Sequence, residues 1–522
     1  MELNLDLAWK RLKQDHKNER VFAEFPYIIN LIELDLDSWL KDISARLKTD
    51  SYVPKSAVSC IRPKSGWLIR PGCILDLQDE VAYNAIVGLF YNNIRQHCAE
   101  SPDVAYPLRN SSDEIDWVKT GYIVWKNWRE KCARKLSNNV QYVLFTDITG
   151  FYENIELSKL SSDLRGILSS HTGLELLSAL LNRWSNSRGK GLPQGYSASH
   201  ILAKLYLDPL DRGLKNAGFD HLRYVDDIRI FCKSKLESKR ALLKLEELVR
   251  ARGLNLQSAK TKIEPVDEAE KIIKSLGPLI DNLQKQFGSN LVGDEYLSLK
   301  DLKRLYEASP ETIPVDILEQ AFQDHFLGGS NEDFNKTLFH FLLHRLGKVS
   351  SRKPLQYSLE LIVNRPEETE HILRYLTEIG PSPEDKSRLI EYADSVEAIY
   401  DYQLFEILRW FFERSEAPSD LIALCRRIAF DCNRQPWLQA YAILILGENG
   451  EASDFHEMEE FYNRPISEIL KTEVVIALHK LEKSRRNSFY GRIERDGEFV
   501  RRAIKFARNM ETAQKATSCK NQ

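Results

Sequence analysis

Two adjacent carboxylates, Asp226 and Asp227, lie between short apolar, β-branched and aromatic runs in the stretch Leu222–Phe231. Runs of this kind on both sides of a short polar break predict a β-hairpin with the acids at its tip. Acids at a hairpin tip project together into one cleft, where their like charges are tolerable only if cations neutralise them. The pair therefore predicts a site for divalent metal ions.

A third acid, Asp147, follows the strand-like run Tyr142–Thr146, and Gly150 marks the bend after it. If Asp147 faces Asp226, the two acids match the need of two Mg²⁺ ions, which lie about 3.5–4 Å apart and clamp the attacking and leaving oxygens of an in-line displacement. Mg²⁺ takes hard oxygen ligands, usually one or two carboxylates together with substrate phosphates. The predicted chemistry is metal-dependent phosphoryl transfer.

Three further segments complete the pattern. The loop Gly189–Gly195 precedes a predicted helix that Ser197 or Ser199 could cap. Lys260–Lys262 places two cations downstream of the acid pair, and Lys64–Arg70 places cations around a turn near the N-terminus. These segments supply the positive charge that a phosphate-bearing substrate requires.

In chain order, these segments resemble the palm motifs of reverse transcriptases. The palm motifs are Asp147–Tyr152, Leu192–Gly195, Tyr224–Asp227 and Lys260–Lys262. The segments that resemble the fingers of the same family are Tyr52–Pro54, Lys64–Arg70 and Asp79–Ala82. The resemblance covers roughly residues 1–270 and implies right-hand polymerase fingers and palm. After Pro265 the pattern predicts helix after helix, so the expected fold is α+β, with an all-α, HEAT-like helical-repeat domain after the palm.

Within that family, the sequence of Asp147–Tyr152 is similar to that of the bacterial defence-associated and abortive-infection reverse transcriptases. The presence of Arg223 before the Tyr224–Asp227 motif adds to this similarity. Those proteins often carry a long helical-repeat region in place of the usual thumb. The resemblance thus implies a role in antiphage defence. No maturase or endonuclease segment of the kind found in group II intron enzymes is identified in the sequence.

The resemblance assigns roles to individual residues. Asp147 and Asp226 hold two Mg²⁺ ions, for which Mn²⁺ could substitute, with Asp227 as the third carboxylate and Ile148 lending its carbonyl. Lys260 matches the position proposed to protonate the leaving pyrophosphate, and it could equally contact a backbone phosphate.

The same resemblance places the nucleotide. Tyr152 would exclude a ribose 2′-hydroxyl and favour deoxynucleotides, although a palm strand also buries aromatics in its core. Lys64 and Arg70 would grip the triphosphate, whose departing pyrophosphate develops charge; the alternative is two solvated cations. Gln194 and Gly195 would lie under the template base and the nascent pair, where a small residue permits close backbone approach.

Composition narrows the class of protein. The 522 residues are 43% hydrophobic and 29% charged, as is ordinary for a globular protein with several sizeable cores. The eight cysteines lack zinc-finger spacing and are expected to be reduced and buried. The longest apolar run, Ala440–Leu446, is too short to span a bilayer, and Met1–Asn4 begins no signal peptide, so we expect a cytoplasmic protein without membrane contact.

Charge is distributed unevenly around a net value of −3. Acids outnumber bases from Pro366 to Asp420, and bases outnumber acids from Lys483 to Lys520. The basic segment could contact phosphates in a salt-dependent manner, or it could be a solvated helix face or dock on an acidic neighbour. The cations proposed for nucleic-acid contact are Arg485, Arg486, Arg501, Arg502 and Lys505.

Three units follow along the chain: N-terminal helices and fingers in residues 1–140, a palm in 141–268, and a helical domain with a basic end in 269–522. The first unit should begin with two helices, Leu3–Gln14 and Phe25–Leu47. Trp437–Leu444 and Glu473–Leu478 echo each other, as in HEAT-type repeats, which offer a concave surface for nucleic acid or a flank for a homo-oligomer.

A further candidate motif lies in the segment Arg365–His371. Arg365 and His371 match the arginine-and-histidine spacing of HEPN ribonucleases. Pro366 follows the arginine where that motif prefers a polar residue, so we reject a ribonuclease site at this position.

The leading hypothesis is an active RNA-directed DNA polymerase that adds deoxynucleotides to a 3′-hydroxyl. Its template would be an associated non-coding RNA. Alternatively, synthesis would have no template and a protein tyrosine would serve as the primer. One alternative is a retron- or intron-like reverse transcriptase of a mobile element. Another is a catalytically silent RNA-binding scaffold, although a scaffold has no physical reason to keep mutually repelling acids together.

Overall fold

The computed structural model describes residues 3–17, 22–98, 114–118, 122–136, 139–168, 170, 172–185, 189–273, 315–328 and 334–520. Its first helices are α1 (Leu5–Lys17), α2 (Ile28–Glu33) and α3 (Leu36–Lys48). The predicted single helix Phe25–Leu47 is therefore wrong. The backbone of Asp35 (φ −158°, ψ 62°) is not helical and separates α2 from α3.

A β-hairpin follows, made of β1 (Val58–Lys64) and β2 (Leu68–Ile74) in antiparallel register. Its tip turns at Gly66, whose φ of 75° is a conformation that glycine adopts without a steric penalty. The helix α4 (Leu77–His97) comes next and is buried along most of its length. Asp79 of α4 accepts a hydrogen bond from the Tyr52 hydroxyl at 2.6 Å, which joins two of the segments that resemble fingers.

The central sheet has four antiparallel strands in the order β4-β5-β3-β6. The strands are β3 (Tyr142–Thr146), β4 (Asp220–Tyr224), β5 (Asp227–Cys232) and β6 (Lys262–Pro265). The helices of this part of the chain are α5 (Tyr122–Lys135), α6 (Phe151–Asn154), α7 (Leu157–Ile167), α8 (Leu174–Trp184), α9 (Ser197–Asn216), α10 (Lys235–Ala251) and α11 (Val266–Ile273). β3 is paired on both sides, and its Val143 and Leu144 are fully buried.

The start of α9 is capped from another helix. Neither Ser197 nor Ser199 caps it, contrary to the prediction. Instead the buried carboxylate of Asp15 accepts from the backbone N–H of Ser197 at 2.9 Å and from its hydroxyl at 2.6 Å. Ser199 pairs with the Tyr83 hydroxyl at 2.9 Å. The carboxylate of α1 thus satisfies a helix terminus that is buried away from water.

After Pro265 every described element is helical, as the sequence predicts. The helices are α12 (Val315–Phe322), α13 (Lys336–Lys348), α14 (Leu355–Asn364), α15 (Thr369–Ile379), α16 (Pro383–Ala393), α17 (Asp401–Glu413), α18 (Ser419–Ala429), α19 (Pro436–Asn449), α20 (Ala452–Tyr462), α21 (Glu468–Ala477), α22 (Lys483–Ile493) and α23 (Glu498–Lys520). The odd-numbered helices from α13 to α23 each pack on the next odd-numbered one, so they form a continuous layer. A Cβ on Gly447 of α19 would lie 2.6 Å from Ala477 of α21, so this close approach needs glycine.

The helical layer returns to the N-terminal elements. Arg502 of α23 donates to the backbone carbonyls of Ile32 at 3.1 Å and Asp35 at 3.3 Å, which lie at the C-terminus of α2, where a cation is favourable. The indole of Trp437 donates to the carbonyl of Ser59 in β1 at 3.2 Å. The helical layer therefore contacts both α2 and the hairpin. Among the described helices, none has a stretch both long and apolar enough to cross a membrane.

Candidate active site

The pairing of β3 with β5 brings the predicted acids together. Thr146 pairs with Ile228, so the next step of the antiparallel register places Asp147 opposite Asp227. β4 and β5 are joined by a two-residue turn, Val225-Asp226, as the sequence predicts for the hairpin. Asp226 consequently stands at the same edge of the sheet as Asp147.

The turn that carries Asp226 has an unusual backbone. Val225 has a φ of 55°, which is strained for a β-branched residue. The buried guanidinium of Arg223 donates to the Val225 carbonyl at 2.5 Å. Its other nitrogens donate to the carboxylate of Asp211 on α9 at 2.9 and 2.5 Å. Arg223 therefore ties the strained turn to α9, and strain that is held in this way is common at functional sites.

The backbone after Asp147 is held by the segment before β6. The Gln257 N–H donates to the Asp147 carbonyl at 2.8 Å, and the Thr149 N–H donates to the Asn255 carbonyl at 2.9 Å. These two bonds lie on either side of Ile148 and do not use its carbonyl. The resemblance assigns that carbonyl to a metal ion. The same segment carries Lys260, whose Nζ lies 2.6 Å from Oδ2 of Asp147.

The electrostatics of the acids fit a divalent cation. Burial raises the pKa of Asp226 to about 7, and the charges of Asp147 and Asp227 add to this effect. Asp227 is partly neutralised by Arg229, at 3.7 Å between Oδ2 and Nη2. A carboxylate that resists ionisation because of burial and like charge gains most from a bound cation, and hard oxygen donors suit Mg²⁺ and Mn²⁺. Asp147, Asp226, Asp227 and the Ile148 carbonyl are the groups that could hold such ions.

The loop before α9 packs against the segment after Asp147. The Leu192 N–H donates to the Tyr152 carbonyl at 2.9 Å, and the Gly191 N–H donates to the Ile155 carbonyl at 2.9 Å. Gly195 has a φ of 93°, a value that favours glycine. These bonds anchor the loop that contains Gln194 and Gly195 to the segment around Tyr152.

Tyr152 is nearly buried and points its hydroxyl at His200. The hydroxyl bonds to Nδ1 of His200 on α9, and the two rings meet edge to face with centroids 5.6 Å apart. Burial raises the pKa of Tyr152, and Asp226 adds to this effect, so the phenol is neutral and lies within electrostatic reach of the acids. His200 thus orients the ring, a role that the sequence does not predict.

The hairpin cations Lys64 and Arg70 lie within electrostatic range of Glu153. Burial raises the pKa of Glu153, next to Tyr152, whereas the positive charges of Lys64 and Arg70 oppose this rise. The two cations therefore act on a carboxylate in the segment that follows Asp147. The hairpin is connected to the helical region through Arg62, whose guanidinium lies 3.4 Å from Glu370 and 4.6 Å from the ring of Tyr402.

The basic C-terminal segment is only in part available to a ligand. Arg486 is buried and donates to the His479 carbonyl, and Arg502 is buried against α2. The prediction that these two side chains bind nucleic acid is wrong, because both guanidinium groups are buried and donate to backbone carbonyls of the protein. Arg485 pairs with Glu459 at 2.7 Å, and Arg501 and Lys505 are exposed on α23.

Sequence reasoning missed the residues that support the site. Arg223 on β4 binds the turn and is held by Asp211 on α9, and His200 on α9 binds the tyrosine, yet none of the three belongs to a motif of catalytic residues. The available signal was Arg223 within an apolar strand beside the acid pair, since a charge that such a strand buries requires a partner elsewhere in the chain.

Comparison with known proteins agrees with this geometry. Residues 81–279 match the family model of reverse transcriptase (RNA-dependent DNA polymerase). The matched segment contains Asp147, Asp226 and Lys260, whereas Lys64 and Arg70 precede it and the helical region beyond residue 279 lies outside it. No curated protein matches the chain. The match indicates an RNA-directed DNA polymerase, a nucleotidyltransferase that uses a nucleic-acid template and deoxynucleoside triphosphates.

Proposed function

We propose that the chain extends a 3′-hydroxyl with deoxynucleotides by two-metal phosphoryl transfer at Asp147, Asp226 and Asp227. The observation that carries this proposal is the pairing of β3 with β5, which gathers the three acids at one sheet edge. Two Mg²⁺ ions, or Mn²⁺ in their place, would activate the hydroxyl and stabilise the leaving oxygen when bound.

The chain's own groups position the substrate. Lys64 and Arg70 lie on the hairpin and act electrostatically on Glu153, and they would bind the triphosphate. Tyr152, whose hydroxyl bonds to His200, would exclude a ribose 2′-hydroxyl and so favour deoxynucleotides. Gln194 and Gly195 end the loop anchored to Tyr152 and would support the template base and the nascent pair.

Lys260 is the candidate donor of a proton to the departing pyrophosphate. It is held beside Asp147 by a 2.6 Å contact and is about half exposed, so a substrate phosphate can reach it. A positioned acid of this type contributes on the order of 10²–10⁴ in rate.

The biological setting is proposed from resemblance. The sequences of the motifs and a helical region in place of a thumb favour antiphage defence by abortive infection, in the cytoplasm. The template would be an associated non-coding RNA, or synthesis would be template-independent with a tyrosine primer. The helical layer, which we propose to be HEAT-like, would offer Arg485, Arg501 and Lys505 to nucleic acid or a flank for a homo-oligomer.

The test is incorporation of labelled deoxynucleotides by the full chain, purified with its bound nucleic acid and supplied with Mg²⁺. We expect a DNA product from the wild type and none from Asp226→Asn. Asp220→Asn is the matched control, since Asp220 lies in the same hairpin but is exposed and pairs with Lys135.

Treatment of the product with protease and with ribonuclease then separates a protein primer from an RNA one. If the wild type incorporates nothing with any template or nucleotide, the polymerase proposal fails and the silent scaffold is favoured. A product that persists in Asp226→Asn would place the chemistry elsewhere.

A further inference from the structure

Far from the acids in sequence, the helical region gathers a second group of metal-binding side chains. His340 and His344 are four residues apart on α13 and therefore share one face of that helix. Glu368 and His371 are three residues apart at the start of α15. Since α13 packs against α15, these two faces meet.

The contacts between the faces are short. Nε2 of His340 lies 2.5 Å from Oε2 of Glu368, and Nε2 of His344 lies 3.0 Å from Nδ1 of His371. The rings of His340 and His371 are stacked with centroids 3.5 Å apart. One ligand atom from each of His340, Glu368 and His371 lies within 4.8 Å of the others, close enough for one ion to touch all three.

We propose that His340, Glu368 and His371 bind a transition-metal ion of the Zn²⁺ type, with His344 as the fourth ligand. Zn²⁺ binds imidazole nitrogen and carboxylate oxygen at about 2.0–2.2 Å, so tetrahedral ligand atoms lie about 3.3 Å apart. The 3.0 Å separation of His344 and His371 is near this value, whereas the 2.5 Å separation of His340 and Glu368 is shorter, so a bound ion would require these two side chains to rotate apart. Three imidazoles favour Zn²⁺ over Mg²⁺ or Ca²⁺, which prefer oxygen.

The surroundings resemble those of a protein metal site. Oε1 of Glu368 is held by Nζ of Lys336 at 3.1 Å, which leaves the opposite oxygen directed at His340. Ligating carboxylates are commonly held by such outer partners. Glu368 and His340 are buried, whereas His344 and His371 are half-buried, so an ion can enter from their side.

The ion would join the early helices of the helical region. It would also lie near Glu370, whose contact with Arg62 connects that region to the hairpin. The alternative is a metal-free network. In it, His340 forms an ion pair with Glu368, and His344 forms a hydrogen bond with His371. The two arrangements differ in metal content, which can be measured.

The experiment uses the full chain without a polyhistidine tag. Elemental analysis after dialysis should find one equivalent of zinc, and Co²⁺ added to the metal-free protein should give a saturable visible absorption of the tetrahedral type. His340→Gln and His371→Gln should lose both signals. His456→Gln, an exposed histidine on α20, should keep both, and Asp226→Asn should keep both because it alters only the polymerase acids.

Lys336→Met tests the outer partner and should weaken Co²⁺ binding by about 10–100-fold, whereas Lys336→Arg should restore much of it. If the histidine variants do not fold, a rise in the wild-type melting temperature on adding Zn²⁺ still supports the site. A wild-type protein with neither bound zinc nor a one-to-one Co²⁺ spectrum would overturn the proposal. So would full metal content in a folded His371→Gln.

Discussion

The ammonium group of Lys260 lies 2.6 Å from Oδ2 of Asp147, although the two residues are far apart in the chain. Burial would lower the pKa of Lys260, but its bond to Asp147 and the charges of Asp226 and Asp227 outweigh this and raise it. Lys260 is therefore charged at neutral pH and partly neutralises the acid cluster. A metal ion at Asp147 would compete with this lysine for the carboxylate and free it to meet a phosphate.

We expect Lys260→Ala to lower the rate of nucleotide addition by about 10²-fold, since a proton donor to pyrophosphate would be lost. Lys260→Arg should not restore the rate, because a guanidinium keeps its proton. Single-turnover kinetics over a range of pH would measure both. Lys271→Ala, an exposed cation on α11 that pairs with Glu268, serves as the control. A rate unchanged in Lys260→Ala would contradict the role.

Arg223 should position Asp226 without touching substrate. Arg223→Lys keeps the charge but cannot make the two bonds to Asp211 and the one to Val225 at once. We expect stability to fall by about 1–3 kcal/mol, as for other weakened buried hydrogen bonds. The variant should also need more Mg²⁺ for half-maximal activity. Arg250→Lys on the exposed face of α10 is the matched control. If the Mg²⁺ dependence stays unchanged, Arg223 is only structural.

Tyr152 should decide between deoxynucleotides and ribonucleotides. Tyr152→Ala removes the ring, so we expect the preference for deoxynucleotides, as a ratio of kcat/KM values, to fall by at least about tenfold, or 1.4 kcal/mol. Tyr152→Phe loses only the bond to His200 and should keep most of the preference. Equal discrimination by wild type and Tyr152→Ala would show that the ring is merely part of the core.

Arg62 should connect the helical region to nucleotide binding. Arg62 lies on β1, the strand that also carries Lys64. Arg62→Ala removes the contacts of this strand with Glu370 and Tyr402. We expect the KM for deoxynucleotide to rise about tenfold, which corresponds to 1.4 kcal/mol, with a smaller change in kcat. Steady-state kinetics of a variant shown to be folded would test this. An unchanged KM would mean that the hairpin is positioned without Arg62.

Glu473 should make stability depend on pH. It is fully buried in α21, and burial raises its pKa to about 8. Because the unfolded chain ionises this carboxyl near pH 4.3 and the folded chain does not, stability falls by about 1.4 kcal/mol per pH unit between those values. Glu473→Gln should therefore be more stable than wild type at pH 8, with little difference at pH 4. Urea unfolding at both pH values would measure this, and a difference independent of pH would contradict it.

Much of the site could be predicted from short stretches of sequence. The alternation of apolar and polar residues and the turn residues predict three local structures. These are the hairpin that turns at Asp226, the strand before Asp147 and the loop before α9. For the same reason, the change to helices after Pro265 was visible in the pattern. The order of the motifs also indicated the family before any contact was known.

Other features depended on contacts between distant segments. Asp35 interrupts a run that has helical periodicity, and Asp15 replaces the predicted serine cap of α9. Arg486 and Arg502 are basic in sequence but buried in the fold. The cap by Asp15 and the positions of the two arginines follow from burial, because a buried polar group must find a partner wherever the fold provides one.

The sequence by itself determined which groups could do chemistry and in what local structure each would stand. Only the tertiary structure decided which of them meet: Asp147 with Lys260, Arg223 with Asp211, and His340 with Glu368. Local patterns arise from neighbours a few residues apart, whereas these pairs form because packing brings separate elements together. Charge pairs and metal sites belong to the second kind, since their strength depends on distances that no local pattern specifies.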